Sequence, residues 1–197
     1  MHVIKRFFLF CSILLFCFNL TAGDFKGGIL AGFCASQMDG DKLGGYNKFG
    51  PTLGFFVNRM FENKWSGQFE IRYDQKGATG QFNDLPYKAR LNYIELPFMA
   101  IYKLTPKVKL EGGLEPSVLY RSNIINGQLQ TNMPFHLIDI PIAIGGYYSI
   151  SSKLDVSVRL SYSTYPIRGK VTDQNVMFYG FNQFNNAVNF VFYYYLR

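Results

Sequence analysis

Cysteine and histidine are scarce in this sequence, with three of one and two of the other in 197 residues. Two of the cysteines, Cys11 and Cys17, fall in an N-terminal stretch that reads as a leader, and His2 goes with them. Cys34 is left alone, so an intramolecular disulfide is excluded and no spacing points to a metal cluster. No cofactor is expected. Long apolar runs are missing outside the leader, which excludes a polytopic helical membrane protein. Lys and Arg are scattered singly. The formal net charge is +7, but no basic block forms, so a nucleic-acid partner is not expected. Charged residues make up 17% and aromatics 18%, a composition too apolar for a disordered chain.

The leader itself has the order of a secretory signal. Lys5 and Arg6 form a charged start, Phe7 to Phe18 an apolar segment, and Thr21, Ala22 and Gly23 a small-residue stretch. The expectation is a signal peptide over 1–22 and one mature domain over 23–197. The apolar segment is shorter than the ~20 residues of a spanning helix. Phe10 and Phe16, rather than small residues, precede the two leader cysteines, which argues against lipidation.

What the mature chain has in abundance is alternation with a period of two. In Trp65–Gln75, the polar Ser66, Gln68, Glu70, Arg72 and Asp74 interleave with Trp65, Phe69, Ile71 and Tyr73. Successive strand side chains point to opposite faces, so this segment has one greasy face and one charged face. The same pattern runs through Val108–Arg121, His136–Ile150, Leu154–Tyr165 and the C-terminal stretch around Val188–Leu196. It is less tidy in Gly27–Met38, Phe49–Asn58 and Ala89–Leu104. The last of these changes phase near Tyr93, where a β-bulge would reset the register, and Pro97 also marks an irregularity.

That makes eight strands. Most exceed the ~5–6 residues usual in globular sheets and match the ~9–11 that cross a bilayer at a tilt. Tight turns at 61–64, 105–107 and 151–153 alternate with longer connections at 39–48, 77–88, 122–135 and 167–182. Outer-membrane barrels combine short periplasmic turns with longer external loops in this way. The fold class expected is all-β, an eight-stranded antiparallel up-and-down transmembrane β-barrel located in the outer membrane. The apolar face is too bulky for the narrow interior of an eight-stranded barrel, so it is placed against lipid. Trp65, Phe69, Tyr73, Tyr120, Tyr162, Phe190, Phe192 and Tyr194 are expected on that face. Aromatics near both strand ends, Tyr93 among them, read as girdles at the two membrane interfaces.

Several of these segments resemble the PorT-like outer-membrane β-barrel family of Bacteroidetes-type bacteria. They are Gly50–Gly54, the run Gln68–Gly77, Tyr93-Ile94-Glu95-Leu96-Pro97-Phe98, and Gly112-Gly113-Leu114 with Tyr120. The resemblance spans nearly the whole mature chain. It implies an eight-stranded outer-membrane barrel. Most members have no assigned activity, and one branch resembles assembly factors for a secretion system.

The inward charges form the first candidate site: Glu70, Arg72, Asp74, Glu95, Glu111, Glu115, Asp155 and Arg159. They read either as an ion-paired plug or as a narrow ion path or binding site, and the mixture of signs favours the plug. His136 with Asp139 is a second candidate, as a rim general base. Its odd spacing puts the two residues on opposite strand faces, and no Gly-x-Ser-x-Gly or metal spacing supports it. No catalysis is expected. Long loops at 124–132 and 172–186 are candidates for external contacts. The aromatic final strand, ending at Arg197, resembles the signal read by the barrel-insertion machinery. The function expected is structural, adhesive or assembly-related, with membrane lipid as partner. The alternatives are a small-solute pore and a soluble, periplasmic lipocalin-like binder.

Overall fold

The computed structural model describes residues 25–82, 85–126, 134–169 and 181–196. The expected signal peptide lies outside them. Eight strands follow in order: β1 (Phe25–Asp39), β2 (Lys48–Met60), β3 (Trp65–Phe82), β4 (Leu85–Glu95 and Phe98–Lys103), β5 (Val108–Leu114 and Ser117–Asn126), β6 (Ile138–Asp139 and Pro141–Ser149), β7 (Leu154–Ser163) and β8 (Phe184–Tyr195). Each pairs antiparallel with its sequence neighbours. β8 returns to β1, with Gly28 opposite Tyr195 and Asp39 opposite Phe184, so the sheet closes and leaves no edge. Among the described residues no helix is long and apolar enough to cross a membrane, which says nothing against crossing by strands.

Three strands are interrupted, each at a proline. Pro97 breaks β4, Pro116 breaks β5 and Pro141 follows the break in β6. Proline has no N–H to give to a ladder. All three keep the ladder going through their carbonyls: the Glu70 N–H donates to Pro97 O (3.0 Å), the Leu96 N–H to Pro116 O (2.8 Å) and the Glu115 N–H to Pro141 O (2.9 Å). The result is a seam running across three neighbouring strands. Glu95, Glu115 and Asp139, all buried, lie next to it.

The register irregularity falls between Asn92 and Tyr93, where the change of pattern predicts it. Its origin is different from the expected one. β4 keeps its odd residues inward throughout, and the extra residue lies on β5, where Tyr120 is skipped between partners Leu119 and Arg121. The side chain of Tyr93 is therefore buried in the lumen and is not part of a girdle. Two connections are also shorter than expected. β3 runs on to Phe82 and β4 starts at Leu85, so 77–88 is mostly strand, and β5 extends to Asn126. Gly77 makes the long β3 possible. Its φ of 138° lies where side chains rarely go, and a Cβ there would collide with the Ala89 carbonyl.

The outer wall is apolar. Phe55 is 67% exposed and Ile144 61%, with Ile71, Leu110, Leu160 and Phe192 also exposed between them. A soluble barrel needs its greasy face inside, so this arrangement overturns the lipocalin-like alternative. The lumen has three layers. A turn-end cluster contains Leu30, Phe56, Met99, Ile101, Tyr147 and Tyr193. A loop-end cluster contains Met38, Tyr87, Leu91, Tyr93, Leu119 and Ile167. Charged side chains fill the level between.

Candidate functional site

The central layer is built by strand periodicity. Gln68, Glu70, Arg72, Asp74 and Lys76 are every second residue of β3, so all five point into the lumen, and all are buried. Glu95 comes from β4, Glu111 from β5, Glu115 from the break in β5, and Arg159 from β7. Two guanidinium groups organise them. Arg159 donates Nε to Glu111 Oε1 (2.9 Å) and Nη2 to Glu111 Oε2 (2.6 Å). It also holds both oxygens of Glu70, at 2.8 and 3.1 Å. Arg72 donates Nε to Glu95 Oε2 (2.8 Å) and Nη2 to Glu115 Oε1 (2.7 Å). Glu115 Oε1 also accepts from Arg159 Nη1 (3.1 Å), which joins the two halves into one network.

Neutral groups complete the pairing. Gln68 Nε2 donates to Glu70 Oε1 (2.7 Å) and the Tyr193 hydroxyl to the same oxygen (3.1 Å). Ser157 donates to Glu111, and Thr52 to Asp74. Lys76 Nζ lies 2.6 Å from Glu95 Oε1. Charges taken out of water are tolerable only when paired and hydrogen-bonded in this way. Gly145 leaves room for the network, since a Cβ there would sit 2.7 Å from Glu111 Oε1.

Of the eight charges expected inside, seven belong to this network. Asp155 is apart, nearer the turn end, with Lys109 Nζ at 2.6 Å and the Tyr195 hydroxyl at 2.9 Å. Sequence reasoning missed Lys76, Gln68, Tyr147 and Tyr193 as members. Each continues the inward phase of a strand already recognised. The expected lipid-facing aromatics lie on the outer wall: Trp65, Tyr120, Tyr162, Phe190, Phe192 and Tyr194 are exposed, and Phe69 and Tyr73 half-buried. Trp65 packs on Tyr102 and Phe69 on Phe98 across the β3–β4 pair, and Tyr73 reaches Tyr120 on β5 past the intervening β4.

His136 and Asp139 do not meet. His136 is exposed, with Nδ1 2.8 Å from Pro166 O. Asp139 is buried, accepting from Ser163 Oγ and Asn185 Nδ2, both 2.9 Å away. Most of the loop residues proposed for external contacts lie outside the described residues. Among the described residues no group of His, Cys, Asp and Glu is placed to hold a metal ion.

The side chains of Arg72, Arg159, Glu70, Glu95 and Glu115 have no solvent exposure at all. The lumen at this level is filled, as an eight-stranded interior allows.

Comparison with known proteins gives a consistent picture. Residues 20–167 match the family described as outer membrane protein beta-barrel domain. No curated protein matches the chain in sequence. Among solved structures, Ail, the attachment invasion locus protein of Yersinia pestis, superposes with a TM-score of 0.52 at 12% identity, covering 88% of this chain and 99% of its own. Ail bound to the heparin analogue sucrose octasulfate gives 0.50 at 9% identity, with the same coverage. Neisserial surface protein A gives 0.49 at 14% identity, covering 86% and 96%. At such identities the likeness to Ail is one of fold.

Proposed function

Because the chain belongs to the outer membrane protein beta-barrel domain family, we propose that it is a sealed, non-conducting barrel of the outer membrane whose work is done at its two ends. Its role on this reading is structural, adhesive or assembly-related, without catalysis. The observation that carries the reading is the closure of the lumen at its middle by Arg72 and Arg159, each bound to several carboxylates and shielded from solvent. An apolar layer covers this plug on each side.

Within the family, the Tyr93–Phe98 element and the Gln68–Gly77 run support a place in the PorT-like, Bacteroidetes-type branch. The leader at 1–22 supports export. The aromatic β8 supports recognition by the barrel-insertion machinery, and the exposed apolar wall supports lipid as the surrounding partner.

Planar-bilayer recording tests the sealed lumen. The full chain, folded in detergent and inserted, is expected to show no conductance steps. Steady unitary conductance from the unaltered protein would turn the network into the lining of a pore and overturn the reading.

A further inference from the structure

At the turn end, the barrel opens into a cup of about 720 Å³. Six lysines line it: Lys26, Lys64, Lys103, Lys107, Lys109 and Lys153. They come from the start of β1, the β2–β3 turn, both sides of the β4–β5 turn and the β6–β7 turn, so closure of the barrel brings them together. Backbone hydrogen bonds from neighbouring strand ends to the turns fix the rim, with the Lys103 N–H at the end of β4 on Lys64 O and the Tyr195 N–H at the end of β8 on Lys153 O. Among the described residues one acidic side chain lines the cup, Asp155, and it is already engaged by Lys109 and Tyr195. The other five lysines pair with no carboxylate among the described residues. The cup is blind, since its floor includes Tyr147 and Ile101, and Gln68 on Tyr147 joins that floor to the charge network above.

Like charges around a concave mouth focus a positive potential along its axis. Such a mouth selects an anion with several charges close together. The kind of cation narrows the choice further. An arginine fork matches the shape of carboxylate and phosphate alike, whereas lysine acts as a point charge, so a cup lined by lysines reads charge density, which is highest in an anion with adjacent phosphates. Among the described residues no arginine lines this cup. Its volume is that of a small-molecule site, which runs from roughly 300 to 1,000 Å³. It opens along the barrel axis, away from the lipid around the wall. We infer that the cup binds a small soluble anion carrying two or more phosphate groups.

The test uses inorganic tripolyphosphate as probe, titrated calorimetrically into the full chain folded in zwitterionic detergent at low salt. Saturable binding of one anion per barrel, weakening as salt is added, is expected. Lys107→Ala with Lys153→Ala, both exposed turn positions, should weaken it roughly tenfold, the scale of two screened charge-assisted contacts. Lys42→Ala, at the opposite end, should leave it unchanged. Citrate, a carboxylate polyanion of similar size, should bind clearly more weakly. No saturable heat, citrate binding equal to tripolyphosphate, or an equal loss in Lys42→Ala would each overturn the proposal. A nanodisc arm separates the lipid source. If anionic phospholipid abolishes tripolyphosphate binding while neutral lipid does not, headgroups fill the cup and the soluble ligand is ruled out.

Discussion

Arg159 on β7 and Glu70 on β3 meet across the interior of the barrel through two hydrogen bonds, Nη2 to Oε1 at 2.8 Å and Nη1 to Oε2 at 3.1 Å. β7 and β3 are not paired in the sheet, so this contact spans the lumen. The same guanidinium holds Glu111 by two further bonds and touches Glu115. Three carboxylates from two strands thus depend on one cation.

Arg159→Met should therefore destabilise the barrel strongly. It keeps much of the volume but leaves Glu70, Glu111 and Glu115 short of their shared partner. Breaking a buried ion pair by removing one member costs about 3–5 kcal/mol. Arg159→Lys should recover only part of the loss, since one ammonium cannot reproduce the planar fork. Urea midpoints in detergent, read from the mobility shift of unboiled samples, measure both. Unchanged midpoints in Arg159→Met would mean that the network contributes no stability.

Arg72→Ala with Arg159→Ala should open a cation-selective path. The network holds five carboxylates, Glu70, Asp74, Glu95, Glu111 and Glu115, against three cations, Arg72, Lys76 and Arg159. Removing both guanidiniums takes away the bulk at the constriction and leaves the carboxylates facing Lys76 alone. Bilayer recordings on variant protein that still shows the mobility shift should give conductance, with reversal potentials favouring cations. Anion selectivity would contradict the assignment of charge at the constriction.

How much of this is legible in the sequence depends on which residues carry it. The alternation in β3 places Glu70, Arg72 and Asp74 inward because a strand has a period of two and nothing in that stretch interrupts it. The same rule extends to Lys76, but Gly77 looks like the start of a loop when the long hairpin with β4 is not in view. Tyr93 misleads for a related reason. An aromatic near a strand end reads as a girdle residue, yet here it packs inward, where its hydroxyl accepts from Asn185 Nδ2 (3.1 Å) on β8. The loop-end layer of the lumen is apolar, so hydrophobicity alone cannot tell inside from outside at that level. The lysine cup was not legible either. Its members are scattered singly through three turns and the strand ends beside them, and only ring closure makes them neighbours.

Protonation at the loop end gives a pH dependence. Asp41, between β1 and β2, is 1% exposed, and burial raises its carboxyl from the usual 3.8 to about 7, partly offset by the Leu43 N–H on Oδ1 (2.8 Å). A folded-state value above the unfolded one means that the folded loop holds a proton the unfolded chain releases. The contribution to stability is fully present below about pH 4 and is lost as pH rises through about 7. Hydrogen-exchange protection of the 39–47 amides should fall over that window in the unaltered protein. Asp41→Asn, which keeps an acceptor without the charge, should flatten the dependence. The same slope in both proteins would assign it to another group.

The two ends of the barrel should also differ in access from outside the cell. Short turns belong to the periplasmic side of outer-membrane barrels and longer connections to the external side. Here β2–β3, β4–β5 and β6–β7 are tight, while Lys42 lies in the longer β1–β2 connection. Cys34 is fully buried in the lumen, so it should be silent to a bulky, membrane-impermeant maleimide. Single cysteines at Lys42→Cys and Lys107→Cys then report each end without background from it. In intact cells Lys42→Cys should label and Lys107→Cys should not, and both should label once the outer membrane is permeabilised. The reverse pattern would invert the barrel in the membrane. It would also move the lysine cup to the cell surface, where an external polyanion could reach it.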